Sequence, residues 1–529
     1  MKHFFFLSFC MLSISCFGQA DTVALQPAHS PQDCFYIRLG VGYGFPYTGD
    51  VTGPTTGPFG VKSYTSGVNE VIGCGYMINK YIGIELNGAM FSPGKKYSYT
   101  GYAVDSVMQA NYSIEANRNI QSLILLMPGV TLQTGGKKLN LYSRLSLVLP
   151  ISNKLTTDEA FTNSAGSYAQ TYTVDMRFTA GASAAIGISY ALAYHVNFWM
   201  ELNAISLSPY TKQTTLVSST LNGTDNLSSY TTQQKTGTYA FSASYPAGTA
   251  NPPSPTSTRP FSNIGVQAGI SLQMADRHND DVSPSSGPGY FYLKAGLGYA
   301  VPFANYASDY TPIYNGNFQS HYNYVPNSTN YSSGTQSFSE KRASFTAGLK
   351  GIVGAGYMFN KHLGVEVDAD MGIVTKKYTL GQSWNDTSGA KNYYNSSYHS
   401  QLPILFTPCI VIQTGGQKVN VYSRIGLVLP TGNKITEEQS YIDEGSSGTS
   451  TTTYSTLFTL GYTGALGIKY SLTDKWQLWG EISILSYEPY LKEISYEGSG
   501  VSEAKFSDGS TSSLPYSSAG LQAGVSFRL

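Results

Sequence analysis

Asp368 and Asp370 stand two residues apart in VEVDADMGI, a spacing that puts both carboxylates on one face of a strand. Such a pair suits general acid–base chemistry, with one carboxyl holding a proton that the other gives up. It equally suits ion pairing with basic residues on neighbouring strands, and the rest of the chain favours that role. Single charges recur inside apolar stretches: Arg38 in FYIRLGVGY, Glu85 in IGIEL, Arg144 in LYSRLSLVL and Glu201 in FWMELNAI. Lys294, Glu366, Arg424 and Glu481 recur in matching stretches further on, joined by Asp368, Asp370, Lys469 and Arg528. An uncompensated buried ion costs several kcal/mol, so balanced sets of this kind predict mutual pairing across a narrow interior.

Other chemistry finds little support. Of the histidines, His195 and His362 fall at short turns, His278 in a polar linker and His29 ahead of the first strand. Only His321 and His399 lie towards long loops, and neither recurs in both copies beside a serine and an acid, as a hydrolase triad would need. No CxxC, HExxH or acidic calcium loop is present, so no metal and no cofactor is expected. Cys34, Cys74 and Cys409 are odd in number and far apart, which is no disulfide framework. Gly40, Gly42 and Gly44 alternate within a strand pattern and no helix follows, so they make no phosphate loop.

The 529 residues exceed one ordinary core, and Lys+Arg balances Asp+Glu at 32 each, which gives no electrostatic case for nucleic acid. The 42 Tyr and 55 Gly with few charges favour extended structure over helix. Residues 1–20, MKHFFFLSFCMLSISCFGQA, combine Lys2, a short apolar run and small residues, which predicts a secretory signal peptide. Beyond it no apolar run is long enough for a membrane helix, so any crossing must be made by strands.

The chain is written twice. LQTGGKKLNLYSRLSLVLP (132–150) returns as IQTGGQKVNVYSRIGLVLP (412–430), FYIRLGVGYGFP as FYLKAGLGYAVP, and IGVQAGISLQM as AGLQAGVSFRL. The repeats span 35–274 and 290–529, and the polar, turn-rich stretch 275–289 reads as a periplasmic linker. In the first repeat, strand patterns lie near 35–46, 69–78, 81–91, 120–134, 138–149, 178–191, 196–208 and 263–274. Short connections alternate with long polar ones near 47–68, 92–119, 150–177 and 209–262; the second repeat has long ones near 303–348, 375–399, 431–457 and 487–515. Short turns at one end and long loops at the other predict an outer-membrane barrel. Along these strands Leu141, Leu145, Leu147 and Leu149 share one face while Asn140, Tyr142, Arg144 and Ser146 share the other. The expected fold is all-β, an antiparallel transmembrane β-barrel with grease outside and ions inside. Two arrangements stay open: two tandem eight-stranded barrels, or one sixteen-stranded barrel wide enough for an aqueous channel.

These features resemble the small outer-membrane β-barrel family of Gram-negative bacteria, the OmpA-like and OmpX-like barrels, especially those of the Bacteroidota. The opening strand FYIRLGVGYGFP, the hairpin LLMPGVTLQTGGKKLNLYSRLSLVLP and the closing LQAGVSFRL carry the resemblance, over both repeats. It implies an interior Arg/Glu network like the set Arg38, Glu85, Arg144 and Glu201. It also implies recognition of the last strand by the barrel assembly machinery. The family's terminal aromatic is replaced here by Leu529, with Phe527 two residues earlier. No peptidoglycan-binding domain is expected after the barrel.

The functional expectation is an integral outer-membrane protein with both termini periplasmic, in contact with outer-membrane lipid and lipopolysaccharide. Its role is structural or surface-binding, without catalysis, and its long loops, rich in Tyr, Ser, Gly and Asn, take any extracellular ligand. The alternative is a porin-like passive diffusion channel, if the repeats form one barrel. Pro209–Tyr210, repeated as Pro489–Tyr490, reads as a strand terminator with an interface tyrosine.

Overall fold

A computed structural model describes residues 34–46, 289–303 and most of 65–274 and 335–529. The signal stretch 1–20, nearly all of the linker, His29, His278, His321 and Tyr490 lie outside the described residues.

Each repeat closes on itself. The first barrel runs Cys34–Pro46, Gly67–Met77, Ile82–Phe91, Leu123–Gln133, Leu139–Pro150, Gly181–Ala191, Val196–Ser206 and Asn263–Met274, each strand antiparallel to the next. Its last strand pairs with its first, with Arg38 opposite Ser271. The second barrel runs Tyr290–Pro302, Gly348–Met358, Leu363–Thr375, Ile404–Gln413, Val419–Thr431, Gly461–Ser471, Trp476–Ser486 and Ser518–Arg528, and closes with Lys294 opposite Ser526. Both edges of each opening strand are therefore occupied by its own repeat. This corrects the sixteen-stranded alternative, which needed an opening strand to pair across the repeats.

Alternation dictates the two faces. Val41, Ile84, Leu147, Leu297, Ile468 and Leu521 face outward and are exposed, while the residues between them are mostly buried. Aromatic rings gather at both ends of the apolar band, as at membrane–water interfaces. Tyr43 and Phe45 meet at one end, with ring centroids 5.0 Å apart. Phe291–Tyr357 at 4.5 Å and Trp476–Phe527 at 4.8 Å meet at the other.

The QTGG motif builds the tight turns. Gly135 and Gly415 adopt φ of +70° and +72°, a region that suits glycine. A Cβ on Gly135 would also meet the Tyr81 ring at 2.8 Å. The Thr134 hydroxyl accepts from the Leu141 amide at 3.2 Å, and Thr414 repeats this with Val421 at 3.1 Å. Gln133 Nε2 donates to the Lys80 carbonyl at 3.1 Å, tying one turn to its neighbour, and Gln413 does the same to Lys361.

At the opposite end the structure departs from expectation. The long connections contain further strands. In the first repeat they form an eight-stranded sheet that includes Tyr97–Asp105, Ala110–Ile120, Lys154–Asn163, Gly166–Met176 and Thr211–Leu221. In the second they form a six-stranded sheet from Tyr378–Asn385 to Val501–Ser507. Leu155, Val174, Tyr398 and Ile435 of these strands are buried in apolar clusters, but the strands are mostly polar and show no sustained apolar alternation, while runs such as QTYTV hold the Thr and Tyr that favour extended backbone. Segment 303–348 lies mostly outside the described residues. Tyr210 is a second correction: it is fully buried rather than seated at the lipid interface.

Candidate functional site

The candidate site is the barrel lumen, where inward rows from all strands converge. In the first barrel two cations and two anions alternate. Arg38 reaches Glu85 at 3.4 Å and Glu201 at 2.9 Å; Arg144 reaches the same two carboxylates at 3.3 and 2.5 Å. Each ion thus meets both opposite charges. The spare lone pairs are taken by neighbours. The Tyr36 hydroxyl donates to Glu85, Asn87 Nδ2 donates to Glu85 at 2.9 Å, and the Tyr142 hydroxyl donates to Glu201 at 2.8 Å. The Arg38 guanidinium also lies 3.9 Å from the centroid of the Trp199 ring. Glycines make room for these rings: a Cβ on Gly187 would stand 2.6 Å from Tyr142, and one on Gly467 2.7 Å from Tyr422.

The second barrel repeats the cluster with more charge. Lys294 stands in place of Arg38 and reaches Glu366 and Asp368, each at 2.7 Å. Arg424 reaches Asp368 at 2.8 Å and also pairs with Glu481. Hydroxyls of Tyr292 and Tyr422 donate to Glu366 and Glu481, both at 2.7 Å. Lys469 lies 4.7 Å from the ring centroids of both tyrosines. Lys350 pairs with Asp370 at 3.3 Å. Asp368 and Asp370 therefore serve separate ion pairs instead of sharing a proton.

Of the expected set, Arg528 stands apart from the cluster, and Lys350 takes part in addition. Arg528 sits at the end of the last strand, 4.2 Å from the Tyr290 ring centroid. Lys350, absent from the expected set, faces the same way as Gly354 and Gly356 on its strand, so alternation alone makes its inward direction legible.

Above each ion cluster the lumen is greasy. Val71, Phe91, Leu123, Leu125, Met127, Val148, Ile205 and Phe261 pack as one buried cluster in the first barrel. Phe345, Tyr398, Leu405, Val428, Leu485, Tyr487 and Tyr516 do so in the second. Each lumen is filled at two levels, first by ions and then by apolar side chains.

Beyond the barrel, the polar sheet of the first repeat has a shallow depression lined by Asp158, Glu159, Gln170, Thr171, Ser218 and Thr220. Beside it, burial and then the Glu159 carboxylate push the Tyr172 phenol up to about 12, and its hydroxyl donates to Gln170 Oε1 at 2.6 Å. His399 lies in a strand of the second repeat's sheet, opposite Thr436. His195 and His362 lie at turns. Burial lowers the pKa of His362, and its Nδ1 lies 3.1 Å from the Gln413 carbonyl. Among the described residues no group of three or more His, Cys, Asp or Glu is placed to hold a metal ion.

Residues 327–528 match a family model described as outer membrane protein beta-barrel domain. No curated protein matches the sequence. Among solved structures, the attachment invasion locus protein Ail of Yersinia pestis is 9% identical at TM-score 0.19, covering 46% of this chain and 100% of its own. The outer membrane protein OprG of Pseudomonas aeruginosa is 14% identical at TM-score 0.22, covering 47% and 99%. CarO of Acinetobacter baumannii is 14% identical at TM-score 0.18, covering 34% and 92%. The second repeat thus matches the outer membrane protein beta-barrel domain, and the internal repeat and the closed topology show the same small eight-stranded barrel written twice in this chain.

Proposed function

We propose that this protein is a non-catalytic outer-membrane scaffold that presents two extracellular β-sheets for surface binding, with its termini in the periplasm. The observation that carries the proposal is the doubly filled lumen: a compensated ion cluster lies beneath a packed apolar cluster in each barrel. An eight-stranded barrel has just enough interior for side chains, so such filling leaves no continuous water path. The carboxylates of the ion clusters are engaged by cations and phenols, which supports a structural role for them over acid–base work. Strands continuing into polar sheets provide a broad surface rich in hydroxyls, suited to adaptable hydrogen bonding. Lipid and lipopolysaccharide surround the apolar band, and the final strand with Phe527 and Leu529 is offered to the assembly machinery.

Single-channel recording of the refolded protein in planar bilayers tests the reading. The expected outcome is no steady conductance. Persistent open steps on the nanosiemens scale would sink it in favour of passive diffusion.

A further inference from the structure

The outward row of Leu139–Pro150 reads Leu139, Leu141, Ser143, Leu145, Leu147, Leu149. A hydroxyl in that row would face acyl chains, where it finds no partner. Ser143 is instead only 2% exposed, as is its repeat counterpart Ser423, and the two hydroxyls hydrogen-bond each other between the barrels. Two further pairs of counterparts meet in the same way. The Ser206 and Ser486 hydroxyls lie 3.3 Å apart. The Tyr81 ring stacks on that of His362, with centroids 4.7 Å apart and planes inclined at 26°.

In an isologous contact, a residue meets its own equivalent only on the two-fold axis. The three pairs sit at the short turns, within the strand span and at the far strand ends. A pseudo-two-fold axis therefore runs along the barrels, and both barrels point the same way. We infer that this face is a self-complementary association surface that holds the two barrels together as a pseudo-dimer in the bilayer, each taking the other as its partner.

The chemistry around the axis fits association within lipid. Apolar burial drives little there, so contacts rely on small residues that let backbones approach and on hydroxyl pairs. Gly464 is such a residue: a Cβ there would stand 2.7 Å from Leu145 Cδ2 and 3.1 Å from the Ala184 Cβ. Leu132 and Ile412, counterparts on outward rows, are each 1% exposed, whereas outward Ile72 and Val353 on other strands are 49% and 53% exposed. Beyond the membrane span, Ser242–Pro246 of the first repeat pairs with Thr335–Ser339 of the second.

The test begins with the whole chain. A protease site is inserted within 275–289, the protein is reconstituted in vesicles and cut, and the halves are extracted in mild detergent. They should co-elute. Gly464→Phe with Ala184→Phe should make them separate while each keeps the heat-modifiable gel mobility of a folded barrel. Independently, Ser143→Cys with Ser423→Cys, on a background with Cys34, Cys74 and Cys409 changed to Ala, should oxidise to an internal cross-link. Ile72→Cys with Val353→Cys should not. Separation of the unsubstituted halves, co-elution that persists despite the phenylalanine substitutions, or failure of the 143–423 cross-link in folded protein would each overturn the inference.

Discussion

A guanidinium midway along a leucine-rich strand is tolerable because strand geometry turns it inward, where two carboxylates wait. Arg144 touches both Glu85 and Glu201, so removing it leaves two carboxylates sharing only Arg38. Arg144→Met should cost about 3–5 kcal/mol, the usual penalty for orphaning a buried charge. A lowered urea midpoint for vesicle-inserted protein measures it, and an unchanged midpoint would refute the pairing. The repeats also supply a natural double substitution. Where the second barrel has Lys350 and Asp370, the first has Asn69 and Ala89 at the matching positions. The charge enters together with its counter-charge. Asp370→Ala alone should therefore destabilise, while Lys350→Asn with Asp370→Ala should recover most of the loss. A double change no better than the single would show that the two do not act as a pair.

At the level of elements, the turns show how local chemistry sets register. Asn360 Oδ1 accepts from the amides of His362 and Leu363, and Thr414 and Gly415 shape the adjacent turn. His362 sits between those turns and the Tyr81 ring, with the Lys361 and Lys80 ammonium groups nearby. Burial and these cations lower its pKa in the folded protein. The unfolded chain then takes up a proton near pH 6.5 before the folded one does. Stability from this contact is complete above pH 6.5 and is lost as pH falls through the lower folded value. The urea midpoint should fall between pH 7 and pH 5 more steeply in the natural protein than in His362→Tyr. Parallel curves would remove His362 from the contact. The strands beyond the barrels follow another rule, with Thr and Tyr propensity and hairpin pairing in place of a sustained apolar row. Period-two apolar alternation, the signal that marks the barrel strands, is therefore missing from them.

At the scale of the molecule, two small filled barrels present a lipid boundary broken on one side by their mutual contact. Nitroxides at Leu297 and Leu521, both exposed and outward, should be relaxed by oxygen dissolved in acyl chains. Nitroxides at Leu132 and Ile412 should be shielded from both oxygen and water-soluble relaxants. Equal oxygen accessibility at all four positions would place the barrels apart.

Period-two alternation, duplicated segments and unequal connection lengths are local or pairwise properties of the chain, so the sequence alone determined the barrel strands, their faces and the inward direction of Arg38, Glu85, Arg144 and Glu201. It could not choose between one barrel and two, since the same edge hydrogen bonds satisfy either closure. It also left Ser143 unexplained, because a hydroxyl on a greasy row makes sense only once the other barrel's Ser423 lies opposite. Which edges close, which ions meet and which lipid-facing residues are withdrawn from lipid are decided by contacts between residues far apart in the chain, and only the tertiary structure supplies those.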